Sequence, residues 1–201
     1  KDHWTQDANV FAEWHVDVVK MDWCNTQGMH PQIAYKQMSD AMNATGRRMH
    51  LNMCEWGQEN PWEWGGDIAN SWRMSGDHTG IWASTKKQIA SSAAIPPAGT
   101  GKPWGWNDMD MLETGNYEQA AHANGKESNM TATEYETEFS MWAISASPLV
   151  VTTPEAYLVM TWVLLRKGEA FRACDAPTDA DLLVVVGEGA RAPPPFLFMA
   201  T

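Results

Sequence analysis

The sequence predicts an α/β fold in which a parallel sheet is flanked by helices. Short apolar segments alternate along the 201 residues with longer segments whose apolar residues recur at helical spacing. Such alternation is typical of parallel strands connected by crossover helices. Several of the short apolar segments also end in a carboxylate. These carboxylates are Asp22, Glu55, Asp77 and Asp110.

Four helices are predicted from the spacing of their apolar residues. The helix over 31–44 has Pro31 in its first turn and Gly46 beyond its end, which are the usual start and stop signals. Thr5 and Thr133 are expected to cap the first and last helices. The four predicted ranges are 5–14, 31–44, 80–94 and 132–146.

The predicted strands lie between these helices, and the segment 57–70 is expected to be a loop because it is rich in Gly, Asn, Pro and Trp. The last expected strand begins at Pro148, and the regular alternation fades from about Pro154 onwards. The predicted strand ranges are 16–22, 49–54, 71–77, 106–111 and 148–153.

The carboxylates at the strand ends distinguish between two kinds of parallel sheet. In a barrel, the carboxyl ends of all strands meet on one face, and that face carries the chemistry. In a doubly wound sheet, ligands bind at a switch point, and the nucleotide-binding version carries a GxGxxG motif. That motif is absent from this sequence, so the pattern favours a barrel.

Composition excludes some classes of function. The net charge is -11, from 14 Lys plus Arg against 25 Asp plus Glu. Nucleic-acid binding depends on clustered basic residues, so it is not expected. A membrane span is not expected either, because no run of 18 apolar residues occurs. The start at Lys1 lacks the pattern of a signal peptide.

The strand-end acids allow three chemical interpretations: glycoside hydrolysis by two carboxylates, a divalent metal site at Asp108-x-Asp110, or structural capping of helices. Metal is disfavoured because the six histidines show no HExxH spacing. Sugar chemistry is favoured by 12 tryptophans and by basic residues near the acids. Lys20 lies two residues before Asp22, so both point to one side of a strand, and its charge is expected to keep that carboxylate ionised. Arg73 is the second such basic residue.

Six segments between residues 7 and 153 occur in the same order as a set of known family segments. They read FAEWHVDVVKMDWC (11–24), MSDAMNATGR (38–47), CEWGQENPW (54–62), NSWRMSGD (70–77), GWNDMDML (105–112) and EFSMWAISASPL (138–149). They resemble the segments FA-W-G-VD-LK-D-C, MS-AL-N-TGR, CEWG--NPW, NSWR-TGDI, GWNDPDML and HFS-WA---APL of the melibiase-type alpha-galactosidases, glycoside hydrolase family 27.

This resemblance implies a retaining alpha-galactosidase built on a (β/α)8 barrel. Asp22 matches the family nucleophile and Asp77 matches the family acid/base. In the retaining mechanism, Asp22 attacks the anomeric carbon while Asp77 protonates the leaving oxygen and later activates water. Retaining geometry implies about 5–5.5 Å between the two carboxyl groups.

The resemblance also implies a set of residues that bind the sugar. Three match positions that hydrogen-bond galactose hydroxyls, namely Lys20, Arg73 and Asp110. Three others match the loop around the 2-position, namely Cys54, Glu55 and Trp56. Family members that accept an acetamide carry small residues in that loop, so Glu55 with Trp56 favours galactose. The implied partner is a galactoside substrate, with no metal or other cofactor.

Only part of the family barrel is matched. The segments cover about strands 4 to 8, so residues 1–153 are interpreted as a partial TIM-barrel catalytic domain and 154–201 as a divergent, unassigned C-terminal segment. The chain departs from the family pattern at His15 (usually Gly), His78 (usually Ile) and Met109 (usually Pro). His78 is expected to be a loop histidine next to Asp77.

Alternative functions stay open at this point. The same family includes alpha-N-acetylgalactosaminidases and beta-L-arabinopyranosidases, and a truncated homologue without catalysis is a third possibility. The family suggests secretion or a vacuolar or lysosomal compartment. Two glycosylation sequons, at Asn43 and Asn129, agree with that. Cys24 matches a cysteine that the family pairs in a disulfide with one further upstream.

Overall fold

The computed structural model describes residues 3–26, 28–96, 105–115 and 130–150. They belong to two compact units. The first unit comprises the described residues of Lys1–Gly76 and Ser91–Asp108, and the second those of Asp77–Ala90 and Met109–Thr201. The expected boundary near residue 153 and the segment 154–201 lie outside the described residues.

A four-stranded parallel sheet forms the centre of the first unit, and its strands follow one another in chain order. The strands are β1 (Val18–Asp22), β2 (His50–Cys54), β3 (Ser71–Arg73) and β4 (Trp106–Asp108). All three pairings are parallel. The predicted α/β fold with a parallel sheet is therefore confirmed.

The predicted helices are present, with small shifts at their ends. The helices are α1 (Trp4–Glu13), α2 (Pro31–Ala44), α3 (Pro61–Trp64), α4 (Trp82–Ala94) and α5 (Ala132–Ile144). The cap at Thr5 was wrong, because α1 begins at Trp4. The cap at Thr133 was also wrong. Thr131 caps α5 instead, in a reciprocal capping box with Glu134.

Helix α2 shows why these segments fold as they do. Pro31 occupies its first turn, and Gly46 follows its end with a φ of 74°, a left-handed conformation that glycine adopts without strain. Its buried residues recur at intervals of three and four, so they form one apolar face. That face belongs to the same core as one side of the sheet. The core residues shared by α2 and the strands are Tyr35, Met38, Ala41, Met42, Val19, Leu51, Met53 and Trp72.

Two predicted strands were too long, and this changes where two of the carboxylates lie. The strand expected over 71–77 ends at Arg73, since the chain bends at Ser75 and Gly76. The strand expected over 106–111 ends at Asp108, and Asp110 has a φ of 79° that no strand residue adopts. Asp77 and Asp110 therefore lie on the segments that follow strands.

Two further expectations also need correction. The expected loop 57–70 contains the single-turn helix α3 and a 3-10 turn at Gly65–Asp67, because Pro61 fixes a helical φ at the first position. A strand was also expected over 148–153, but its described residues, 148–150, do not form one. Residues 151–153 lie outside the described part.

The described part of the second unit is organised around helix α5. The buried indole of Trp142 donates a hydrogen bond from Nε1 to the carbonyl oxygen of Asp110 at 2.7 Å. The backbone N–H of Met109 donates to Ser147 Oγ at 2.9 Å. These bonds fix the segment after β4 against α5. No helix in the described parts of the chain is long and apolar enough to cross a bilayer.

Candidate active site

The carboxyl end of β1 presents a cation and a carboxylate on one side of the sheet. Lys20 and Asp22 are two residues apart on the strand, and both are exposed. In the parallel register, Lys20 is paired with Asn52 and Asp22 with Cys54 of β2. Asp22 therefore lies at the rim of the sheet, beside the last residue of its neighbouring strand.

Buried Arg73 and Cys54 continue this face across β2 and β3. The guanidinium Nη1 lies 3.8 Å from Cys54 Sγ, and Nη2 donates to the carbonyl oxygen of Ser75 at 3.2 Å. Burial raises the pKa of the Cys54 thiol to about 12. The charges of Lys20 and Arg73 counteract part of that rise, whereas Asp22 adds to it. The thiol is therefore neutral and forms part of the wall beside Asp22.

The loop after β2 holds a buried carboxyl group. Glu55 is 1% exposed, and its Oε2 accepts a hydrogen bond from the backbone N–H of Glu59 at 2.8 Å. Burial raises the pKa of Glu55 to about 7, although the backbone N–H groups of residues 57–59 lower it. Its Oε1 has no hydrogen-bond partner among the described residues. This carboxyl group therefore titrates near neutral pH.

The two residues after Glu55 adopt unusual backbone conformations. Trp56 has a φ of 58° and Gly57 a φ of 75°. A Cβ at Gly57 would overlap the carbonyl group of Met74. Only glycine allows the loop to pass this close to the chain after β3. The position of half-buried Trp56 thus depends on the residue that follows it.

A polar network lies on the same face of the sheet and runs from the first residues of β2 and β3 to Asp108, the last residue of β4. The Asn52 Nδ2 group donates to Ser71 Oγ at 2.8 Å and to Asp108 Oδ2 at 2.7 Å. His50 Nε2 lies 2.7 Å from Ser71 Oγ, and burial lowers the pKa of His50 to about 4. Asp108 is therefore a partner of Asn52 within the sheet, which is a structural role.

In the second unit, Asp77 is exposed and Asp110 is buried. The backbone N–H of His78 donates to Asp110 Oδ2 at 2.8 Å. This bond ties the residue directly after Asp77 to the second carboxylate. The positions of Asp77 and Asp110 within this unit are therefore linked.

His78 lies on the loop between β3 and α4, as expected, but its side chain is buried. It is 6% exposed, and its ring lies against Trp142 with centroids 5.2 Å apart. Its Nε2 is 2.7 Å from Glu138 Oε1, and its Nδ1 is 3.0 Å from Ser84 Oγ. Sequence reasoning missed this cluster. Two departures from the family segments could have indicated it. His78 replaces the Ile that ends the segment NSWR-TGDI, and Glu138 replaces the His that begins the segment HFS-WA---APL.

The predicted site residues divide between the two units. The first unit holds six of them, and the second holds two. Those of the first unit are Lys20, Asp22, Cys54, Glu55, Trp56 and Arg73, and those of the second are Asp77 and Asp110. The thiols of Cys24 and Cys54 are free in this structure, and Cys174 lies outside the described residues.

Comparison with known proteins places these observations in a family. The family model described as Melibiase_2, alpha galactosidase A, matches residues 1–160. Alpha-galactosidase A of Cellvibrio japonicus is 41% identical over 157 residues, which covers 74% of this chain and 36% of that protein. Alpha-galactosidase 2 of Arabidopsis thaliana is 40% identical over 149 residues, covering 74% of this chain and 34% of that protein.

Solved structures give the same result. An alpha-galactosidase of Saccharomyces cerevisiae has a TM-score of 0.61 at 36% identity, covering 73% of this chain and 36% of that one. Alpha-galactosidase I of Mortierella vinacea has a TM-score of 0.60 at 29% identity, covering 79% and 45%. The chain spans about a third of the length of the curated relatives it matches. The family model nevertheless matches most of the chain. The chain therefore belongs to the family that this model describes, Melibiase_2 (alpha galactosidase A).

Proposed function

We propose that this chain supplies catalytic residues of a retaining alpha-galactosidase, which hydrolyses terminal alpha-D-galactosyl groups. The observation that carries this proposal is Asp22, an exposed carboxylate at the carboxyl end of a parallel strand within a family segment. Ligands of parallel α/β folds bind at that end of the strands. The relatives' activity supports the reaction type.

In this proposal Asp22 is the nucleophile. Its carboxylate attacks the anomeric carbon and forms a galactosyl ester, which water then hydrolyses. The neighbouring Cys54 thiol is neutral, so it does not compete as a nucleophile. Asp77 is the acid/base that donates a proton to the leaving oxygen and then takes one from water. It lies on a segment after β3, anchored through the N–H of His78.

The same proposal assigns the sugar contacts. Lys20, Arg73 and Asp110 bind galactose hydroxyls, and the loop Cys54–Trp56 encloses the 2-position. Arg73 is buried and held at Cys54 and Ser75, which gives its guanidinium a fixed direction. Glu55 and Trp56 are larger than the small residues that make room for an acetamide in this family, so the acetamido sugar is disfavoured. Rates on matched aryl glycosides test this assignment, and a preference for the acetamido sugar or for arabinopyranoside contradicts it.

We further propose that the four strands belong to a (β/α)8 barrel of which this chain covers about strands 4 to 8, with residues 1–153 as its catalytic portion. The parallel order and the fold of the solved relatives support this. We propose an oxidising destination, secreted or vacuolar, in which Cys24 forms a disulfide with an upstream cysteine. Its exposed thiol is accessible for such a bond.

The test uses the full-length protein and the stereochemistry of azide rescue. Asp22→Ala and Asp77→Ala are each assayed on p-nitrophenyl alpha-D-galactoside with azide. If Asp22 is the nucleophile, azide replaces it and gives beta-galactosyl azide. If Asp77 is the acid/base, azide attacks the galactosyl ester and gives alpha-galactosyl azide. The opposite products, or activity retained by Asp22→Ala without azide, would overturn the roles. The matched control is Asp40→Ala, an exposed carboxylate on α2 that pairs only with Lys36 among the described residues.

A further inference from the structure

The most unusual cluster outside the predicted site is a buried pair of ionisable groups in the second unit. The side chains of His78 and Glu138 are 1% and 0% exposed, and they meet at 2.7 Å. Both ring nitrogens of His78 have a partner, since Nδ1 lies 3.0 Å from Ser84 Oγ. Ser84 Oγ also accepts the N–H of Thr79 at 3.0 Å. The imidazole is thus fixed at both ends.

The Glu138 carboxylate accepts hydrogen bonds from two separate segments of the chain. Its Oε1 accepts from His78 Nε2 and from the N–H of Glu113 at 3.0 Å, and its Oε2 accepts from Thr114 Oγ1 at 3.1 Å. One carboxylate on α5 therefore holds the segment that carries Asp77 and the segment that follows Asp110. We call Glu138, His78 and Ser84 the anchor cluster.

One hydrogen bond connects the anchor cluster directly to a predicted site carboxylate, that of Asp110, and a second bond from the same helix holds the Asp110 backbone. The N–H of His78 donates to Asp110 Oδ2 at 2.8 Å. Trp142, one turn after Glu138 on α5, donates to the carbonyl oxygen of Asp110 at 2.7 Å. We therefore expect a change in the anchor cluster to loosen the peptide that joins Asp77 to His78. Burying a charge is costly unless it is fully hydrogen-bonded, so apolar residues would pack this core at lower cost.

We propose that Glu138 and His78 are positioning residues that fix the direction of the Asp77 carboxylate and the place of Asp110. The proposal rests on the function proposed above, in which Asp77 protonates the leaving oxygen. A fixed carboxylate transfers its proton in the first step, and a loosened one does so less often. Neither His78 nor Glu138 contacts the substrate, because both are enclosed by protein.

The test is the dependence of the rate on the leaving group in the full-length protein carrying Glu138→Gln. The glutamine keeps the volume and one acceptor oxygen but removes the charge that His78 meets. p-Nitrophenolate leaves with little acid assistance, whereas an alkoxide requires it. We expect kcat/KM on methyl alpha-D-galactoside to fall about tenfold more than on the p-nitrophenyl substrate, a part of the 10²–10⁴-fold that acid catalysis supplies.

Two further variants keep the result interpretable. Glu136→Gln makes the same chemical change on the same helix, outside the anchor cluster, and is expected to leave the ratio of the two rates unchanged. Ser84→Ala removes the partner of His78 Nδ1 together with the acceptor of the Thr79 N–H, and it serves if Glu138→Gln does not fold. It should shift the ratio in the same direction by less.

The outcomes separate the two proposals. Suppose that the wild-type protein is active and that the ratio of the two rates is unchanged in Glu138→Gln or Ser84→Ala. That result overturns the positioning role alone. A wild-type protein that cleaves neither galactoside overturns the proposed function and this inference with it. A larger fall on the alkyl galactoside, with a normal far-ultraviolet spectrum, supports both.

Discussion

The hydroxyl of Tyr35 joins helix α2 to two neighbouring strands at the rim of the candidate site. It accepts a hydrogen bond from the backbone N–H of Cys54 at 3.2 Å and donates to the carbonyl oxygen of Met21 at 3.3 Å. Burial raises the pKa of this phenol well above its usual value, so the hydroxyl stays protonated. Asp22 directly follows Met21 in the chain, and Glu55 directly follows Cys54. The hydroxyl therefore holds the backbone next to two candidate site residues.

Replacing Tyr35 with Phe should therefore destabilise the protein and disturb the candidate site together. The N–H of Cys54 would be buried without its acceptor, which costs about 1–3 kcal/mol. Urea unfolding of the full-length protein measures this cost, and KM for an aryl galactoside reports the site. An unchanged unfolding midpoint would show that water replaces the hydroxyl without loss.

Replacing Gly57 with Ala should be far more damaging than replacing Gly46 with Ala. Both glycines have a φ near +75°, so both substitutions incur the left-handed cost of about 1–2 kcal/mol. A Cβ at Gly46 meets nothing within 4 Å, whereas one at Gly57 overlaps the Met74 carbonyl. The extra overlap should add about 1–3 kcal/mol. Equal shifts in melting temperature for the two variants would contradict the close approach of the Gly57 loop.

Replacing His15 with Gly should stabilise the protein. His15 is exposed and has a φ of 56°, a conformation that costs a non-glycine residue about 1 kcal/mol. Its carbonyl oxygen accepts from Arg47 Nη2, and this bond does not depend on the side chain. Asn25→Gly is the matched control, because Asn tolerates its φ of 58° better and should gain less. Thermal unfolding of the two variants gives the comparison.

The Glu55 carboxyl should make the protein less stable as the pH rises from about 4.5 to about 7. Its folded pKa of about 7 exceeds its ordinary value of 4.5, so the folded state binds more protons within that window. The stability that this group contributes is present below pH 4.5 and is lost as the pH rises through 7. Glu55→Gln should remove this trend from the melting temperature measured against pH.

His50 provides the opposite trend and so requires its own control. Its folded pKa of about 4 lies below the ordinary 6.5, so its contribution is present above pH 6.5 and is lost as the pH falls towards 4. Both contributions are present in the wild-type profile. His50→Gln should therefore remove the contribution of His50 and retain the decline due to Glu55. A double variant that still shows either slope would contradict this assignment.

Much of this protein is determined by its sequence. The helix spacing, Pro31, Gly46 and the short apolar strands predicted the α/β fold, because these signals act within a few residues. The family segments predicted the candidate site residues, including Asp22 and Arg73. They could not predict where β3 and β4 end, since a strand ends where its neighbour stops pairing.

Only the tertiary structure decided what surrounds those side chains. The sequence alone gives no reason to expect shifted pKa values for Glu55 and Cys54, whereas burial in the folded protein raises the pKa of both. His78 and Glu138 are 60 residues apart in the chain and meet only after folding. Burial and contacts between distant residues depend on the whole packed unit, and no local pattern records them.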